Sequence, residues 1–314
     1  MGLFLRRNRQ IERSLSAPVV LTRLVPWTGL TRLSILTARF LKPYPSLLRL
    51  FLVYAKNYID WRGCILLCQT EFGAKISCRM SDLIQRKIAY FGVWEPALSR
   101  YIQSGLGPGD VFVDVGANIG YFSLLAGSLV GPEGKVVAVE ASPTIFRLLF
   151  ANVQQNKFGN IRPAHVAAAY APGQVRIALG PSENLGATRI AAGADNASEV
   201  VEARPLHDIL STEELRRVKI IKIDIEGSEG PVLRSFLENH RLFRADCELA
   251  VEISRENAAF VEDMRRLGYN AYTLVNSYSD DDYLERRPLR PERLVNPITQ
   301  QTDVIFSRRD AAFL

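Results

Sequence analysis

The residues best placed to do chemistry are Asp114, Gly116, Asn118 and Gly120 in the run Asp114-Val115-Gly116-Ala117-Asn118-Ile119-Gly120, with Glu140 twenty residues further on. Glycines at 116 and 120 allow a tight turn and a close backbone approach to a ligand. A helix starting after such a turn presents N–H groups and a positive dipole end. Asp114 closes an apolar run, and a buried carboxylate there needs a positive partner. The ammonium or sulfonium end of an aminoacyl-sulfonium nucleoside would be such a partner. Glu140 can accept both ribose hydroxyls of a bound nucleoside. That spacing also suits a dinucleotide, but the G-x-G-x-x-G fingerprint wants glycine where this chain has Asn118. A side chain there crowds a pyrophosphate, which favours a nucleoside without phosphates.

A second cluster lies in Val218–Glu226, where Lys222, Asp224 and Glu226 alternate with Ile221, Ile223 and Ile225. Period-2 spacing puts the three charges on one face of a strand. Carboxylates and a lysine gathered at a strand end are expected to have perturbed pKa values. Asp224 or Glu226 could then act as a base, with Lys222 tuning it. The structural alternative is a Lys222–Asp224 ion pair with Glu226 capping the next helix and Glu229 serving its dipole. Glu252 ends the following strand in the same manner. The three histidines lack ligand spacing, so no metal is expected, and Asp280–Asp282 reads as a solvated loop.

The elements that must position these residues follow from the apolar pattern. Cys64–Cys68 and Lys75–Met80 read as a hairpin, and Ser81 or Asp82 caps a helix through Tyr90. Strands at Val111–Val115, Lys135–Glu140, Ile161–Ala169, Val218–Asp224, Cys247–Ile253 and Tyr269–Val275 alternate with helices at 119–130, 144–157, 229–238 and 256–267. Thr302–Ser307 is a last strand. This alternation predicts an α/β fold with a mainly parallel sheet covered on both faces. Ligands in such sheets bind at the carboxyl ends of the strands, where the strand order reverses.

Asp110–Ser123 (DVFVDVGANIGYFS), Val139–Pro143 (VEASP) and Lys219–Leu233 (KIIKIDIEGSEGPVL) resemble the FkbM family of methyltransferases, over roughly residues 63–308. Trp94-Glu95-Pro96 and Asn184-Leu185-Gly186 belong to the same resemblance. It implies a Rossmann-like class I methyltransferase fold with a seven-stranded sheet, S-adenosyl-L-methionine as cofactor, and O-methylation of a sugar, glycan, lipid-linked or natural-product hydroxyl. The cofactor residues would be Asp114, Gly116, Asn118, Gly120, Glu140 and Asp224. Where the family often has an acid for the adenine amino group this chain has Tyr170, which implies stacking or backbone contacts instead. Where the family reads Leu-Asp-Asp before the fourth strand, this chain has Leu206-His207-Asp208. Alternatives are a nucleic-acid methyltransferase, an NAD-linked oxidoreductase disfavoured by Asn118, and a non-catalytic membrane-associated protein that keeps the fold. The first is disfavoured because Asp224-Ile225-Glu226-Gly227 stands where base methylation commonly uses Asn/Asp-Pro-Pro-aromatic.

Composition bounds the rest. With 314 residues, 47% of them apolar, the chain can form one large α/β domain and an appendage. Residues 1–62 hold eleven Lys/Arg against two acids, leaving 28 against 31 for the remainder. The excess positive charge is therefore confined to a basic extension, read as partly helical or disordered and able to contact an anionic membrane surface. Residues 63–314 form the expected domain, with a lead-in over 63–109 and a core over 110–308. Leu33–Tyr54 is apolar but interrupted by Arg39, Lys42, Pro43, Pro45 and Arg49, which excludes a spanning helix of about 20 apolar residues. No signal peptide is visible, and four cysteines without metal or disulfide spacing suit a reducing, cytoplasmic setting.

Overall fold

The computed structural model describes residues 28–58, 63–191, 199–274, 278, 280, 283 and 291–310. Its centre is an eight-stranded sheet of β3 (Val111–Val115), β4 (Lys135–Glu140), β5 (Ile161–His165), β10 (Val218–Ile223), β11 (Glu248–Ile253), β12 (Asn270–Leu274), β13 (Glu292–Arg293) and β14 (Thr302–Ser307). The strands lie in the order β13-β12-β14-β11-β10-β3-β4-β5. Neighbours from β5 to β11 pair in parallel, and β14 enters antiparallel between β11 and β12. The expected seven strands are thus joined by the two-residue β13, antiparallel to β12 at the sheet edge. The chain runs outward from β3 to β4 and β5, then returns to build β10 and β11 on the other side. The order therefore reverses between β3 and β10, which opens a crevice at their carboxyl ends.

Alternation along the strands builds two apolar layers. Val111, Val113 and Val115 face one layer with Val137, Val139, Phe236 and Met264, whereas Phe112 faces the other with Val136, Ala138 and Leu124. The first layer is covered by α7 (Leu206–Ile209), α8 (Thr212–Arg217), α9 (Glu229–Asn239) and α10 (Ala259–Arg266). The second is covered by α3 (Leu83–Phe91), α4 (Pro96–Gly105), α5 (Tyr121–Val130), α6 (Pro143–Asn156) and the antiparallel hairpin β1 (Ile65–Gln69) and β2 (Lys75–Arg79). Asp82 caps α3 by accepting from the Gln85 amide, and Ser142 caps α6 by accepting from that of Ile145. Pro43 and Pro45 break the apolar Leu33–Tyr54 run into α1 (Thr28–Leu41) and α2 (Pro45–Tyr58). Residues 1–27 lie outside the described residues.

One expected strand divides. Ile161–Ala169 does not run through as a unit, because β5 ends at His165 and Ala167–Ala168 (β6) joins a second sheet. That sheet runs β6-β9-β7-β8, with β7 (Gly173–Ala178), β8 (Arg189–Ile190) and β9 (Glu199–Arg204). It stands beside the carboxyl ends of the main sheet and walls the crevice with Ala167, Ile177, Arg189 and Ile190.

Candidate active site

A cavity of about 510 Å³ occupies the crevice. Its floor depends on Gly116, whose φ of 78° lies in the left-handed region and whose missing side chain leaves no room to spare. A Cβ there would fall 1.9 Å from the Asp224 carbonyl oxygen. Only glycine lets the ends of β3 and β10 close together, and the Asp224 amide donates to the Val115 carbonyl at 3.1 Å. The turn uses its own donors. The amides of Gly116 and Ala117 both reach the Val139 carbonyl, and the Asn118 amide donates to Glu140 Oε2 at 3.0 Å. Those groups do not point at a ligand, so the loop is not a phosphate cradle. Asn118 itself sits at φ 49°.

Glu140 ends β4 against the cavity, its other oxygen accepting from the Ser142 amide at 2.9 Å. Burial pushes its carboxyl up to about 7, against the pull of the Ser142 and Asn118 amides. Asp114 and Gly120 do not line the cavity. Asp114 lies beneath it, fully buried, accepting from Ser123 Oγ at 2.6 Å with Lys222 Nζ 3.8 Å from its other oxygen. Gly120 instead makes room for Leu149, whose Cδ1 would meet an added Cβ at 2.7 Å. Tyr170 is also elsewhere. Its ring is half-exposed and its hydroxyl donates to Glu238 Oε2 at 2.9 Å. The break after β5 sends the chain into the second sheet and turns this side chain outward, so the adenine role expected for Tyr170 is withdrawn.

The second cluster converges on the same space. Lys222 and Asp114 are register partners on β10 and β3, pointing to the same side. Lys222 Nζ also meets Asp224 Oδ2 at 3.1 Å and lies 5.3 Å above the Phe122 ring. Burial works against its charge, but Asp224, Asp114 and Glu95 outweigh burial and raise its pKa. β10 stops at Ile223, so Asp224 and Glu226 project from a turn rather than a strand; Glu226 takes φ 52° and Gly227 φ 90°. Glu229, not Glu226, holds that turn, accepting from the amides of Ile225 and Gly227. Glu226 is left facing the cavity, its carboxyl pushed up to about 7 by burial, then by Asp224 and Glu229. Glu252, at the end of β11, is likewise raised to about 7 by burial and Asp224.

Two contributors escaped the sequence reading. Glu95 reads as a helix N-terminus before Pro96, yet it is buried at φ 41°, lines the cavity and accepts from the Tyr278 hydroxyl at 3.1 Å. Burial, Asp303 and Asp224 raise its pKa well above the ordinary carboxylate range. Tyr278 stacks on Trp94 at 5.4 Å across 184 residues of chain, a pairing no local pattern announces. Asp280, by contrast, is tied to Lys87 at 2.9 Å; Asp281 and Asp282 lie outside the described residues.

The model of the FkbM methyltransferase domain matches residues 114–271, half of the chain. The chain belongs to the FkbM methyltransferase family. The family's methyl donor is S-adenosylmethionine, and the Rossmann-like sheet with its crevice is the matching fold. Among solved structures, the FkbM methyltransferase of Methylobacillus flagellatus KT is 17% identical, with a TM-score of 0.35, over 71% of this chain and 52% of that one. A SAM-dependent O-methyltransferase of Thermotoga maritima is 15% identical, with a TM-score of 0.39, over 79% of each chain. Aeropyrum pernix fibrillarin, solved with S-adenosyl-L-methionine, is 13% identical, with a TM-score of 0.37, over 67% of this chain and 73% of that one. None of the curated proteins compared matches this chain.

The FkbM site can be tested for fit to that donor. Asn118 Oδ1 and Asn184 Oδ1, on two residues lining the cavity, are buried without a hydrogen-bond partner among the described residues. Buried acceptors without donors are costly, and an adenine or aminoacyl N–H is the kind of group they lack. The Asn184–Gly186 segment is fixed to α3 by the Leu185 amide donating to Asp82 Oδ2 at 2.8 Å. Glu140, lining the cavity, would offer a carboxylate to a ribose diol, and the neighbouring carboxylates suit a cationic sulfonium. The residues present fit the donor.

Proposed function

We propose that this chain transfers a methyl group from S-adenosylmethionine to a hydroxyl oxygen of a small-molecule or glycan acceptor. The observation that carries this reading is the group of cavity carboxylates, Asp224, Glu226, Glu252 and Glu95, gathered around Lys222 in the cavity that Asn118 and Glu140 also line. Gly116, Asn118 and Glu140 would hold the donor, with Asp114 and Gly120 keeping the turn in shape from below. Bound there, S-adenosylmethionine supplies an electrophilic methyl carried on a sulfonium. The protein must align the acceptor and take its proton as the oxygen–carbon bond forms.

A base titrating near neutrality does this best. Glu226, raised to about 7, has the appropriate basicity and an open face. Lys222 cannot serve, because its neighbours hold it as a buried cation. Its part is to set a buried positive charge between Asp224 and Asp114 under the site. Asp224 is the other carboxylate able to accept the proton, already bonded to Lys222. A polyphosphate backbone would be repelled by this acidic mouth, which disfavours nucleic acid as acceptor.

The test is incubation with methyl-labelled donor and separate pools of free sugars, oligosaccharides, lipid-linked saccharides and nucleic acids. The reading predicts a labelled methyl ether from one of the first three pools. Label found only on nitrogen, or only in nucleic acid, would overturn it.

A further inference from the structure

α1 and α2 are apolar on both sides. Towards the domain, α1 buries Ile35 and Ala38, and α2 buries Leu48, Leu52 and Ala55. On the opposite faces, Leu33, Leu36 and Phe40 follow at i, i+3 and i+7, and Leu47, Leu50 and Tyr54 repeat that spacing. These six side chains are 54–75% exposed. An amphipathic surface helix normally turns charges to solvent, and exposed apolar patches of this kind mark interaction sites. The two helices pack against each other, so the stripes form one outward face. Arg39 clamps the pair in place, donating to the carbonyls of Ala89 and Gln69, while Lys42 reaches Glu71 and the Phe91 carbonyl.

Charge selects the occupant of this face. From Arg13 to Ile59 the chain has seven Lys/Arg and no acid in 47 residues. A second copy would press two acid-free basic segments together. A nucleic acid would use the charges but leave the leucines and Phe40 in water. An anionic lipid surface satisfies both, taking the apolar stripe into the acyl boundary while the net positive charge of the acid-free segment, part of it clamped against the domain at Arg39 and Lys42, draws the headgroups. No helix among the described residues is long and apolar enough to cross a membrane, so the pair lies on the surface. We propose that the α1–α2 face docks this protein on anionic phospholipid membranes. α1 rests on α3, and α3 lines the cavity with Leu83, Ile84 and Ile88. Docking would therefore hold the site one helix away from the lipid, next to an acceptor carried on a lipid anchor. That last consequence rests on the methyltransferase reading; the docking itself does not.

The test is flotation of the full chain with vesicles of phosphatidylcholine, with and without phosphatidylserine, at low and high salt. The wild type should float with the mixed vesicles, less so at high salt, and poorly with phosphatidylcholine alone. Losing one inserted Leu or Phe weakens partitioning by roughly tenfold. The triple variant Leu36→Glu, Phe40→Glu, Leu50→Glu should therefore stay at the bottom of the gradient. These positions are exposed, so the variant should keep the wild-type melting temperature and S-adenosylhomocysteine affinity, which separates loss of docking from loss of the fold. No flotation of the wild type at low salt, equal flotation of the triple variant, or a stable dimer by light scattering that the substitutions dissolve would each overturn the proposal.

Discussion

Glu140 shows how burial and hydrogen bonding set one side chain's usefulness. Its carboxyl stands near 7 because desolvation outweighs two backbone donors, and a ribose diol donates most strongly to the ionised form. The sign follows directly. Below pH 7 the unliganded carboxyl is protonated, and binding must expel that proton. Affinity for S-adenosylhomocysteine should therefore fall by about tenfold between pH 8 and pH 6. In Glu140→Gln binding should be weak and flat over the same range, which calorimetry at the two pH values would check. Glu226 carries the corresponding prediction for chemistry. Glu226→Gln should lower kcat by about 10²–10⁴-fold while S-adenosylhomocysteine affinity stays within a few-fold. A kcat loss of less than tenfold would pass the proton to Asp224 or Glu252.

The decisive element is the parallel pairing of β3 with β10, because it brings the two clusters into one cavity. Gly116 is the contact on which the closure of their carboxyl ends turns. Gly116→Ala places a Cβ 1.9 Å from the Asp224 oxygen and should cost about 3 kcal/mol or more, with loss of cofactor binding. Differential scanning calorimetry and a ligand titration would show both effects. The glycine turn, the β-branched runs of β3, β4 and β10 and the Ser142-Pro143 start of α6 are legible in the sequence, since each is a local consequence of local residues. The break after His165 is not. An apolar run shows that Ile161–Ala169 is buried, but the partner that takes Ala167 and Ala168 lies more than thirty residues on, in β9. Tyr170 was misplaced for the same reason. Glu95 was missed because its partners, Tyr278 and Asp303, are brought to it only by the completed fold.

At the scale of the whole molecule, the far end of the sheet is closed by a polar network well away from the cavity. Glu248, 1% exposed, accepts from Tyr101 Oη at 2.5 Å, Ser307 Oγ at 2.9 Å and Arg309 Nη2 at 2.8 Å. It thereby ties α4, β11 and the end of β14 together. Arg309→Ala would leave that buried carboxylate with two hydroxyls and, at 3.9 Å, the Lys219 ammonium, at a cost of about 3 kcal/mol. The melting temperature should drop by roughly 6–12 °C, while S-adenosylhomocysteine binding below the transition remains intact. A drop in affinity without a drop in melting temperature would show that the network serves the site instead. The division of charge between a basic N-terminal segment and a mildly acidic remainder belongs to this scale too. It was plain from composition, whereas the apolar outward face of α1 and α2 became visible only once their inward faces were seen to be occupied.

A methyl-donor site built on Asn118 and Glu140 over the paired ends of β3 and β10 is tested most directly by calorimetric titration of the purified protein with S-adenosylhomocysteine, beside Asp114→Ala and Glu140→Ala. The account predicts micromolar binding by the wild type, lost in Glu140→Ala through the missing ribose acceptor and in Asp114→Ala through collapse of the Lys222 floor. A well-folded wild type that binds no S-adenosylhomocysteine, or a Glu140→Ala variant that binds as tightly as the wild type, would contradict it.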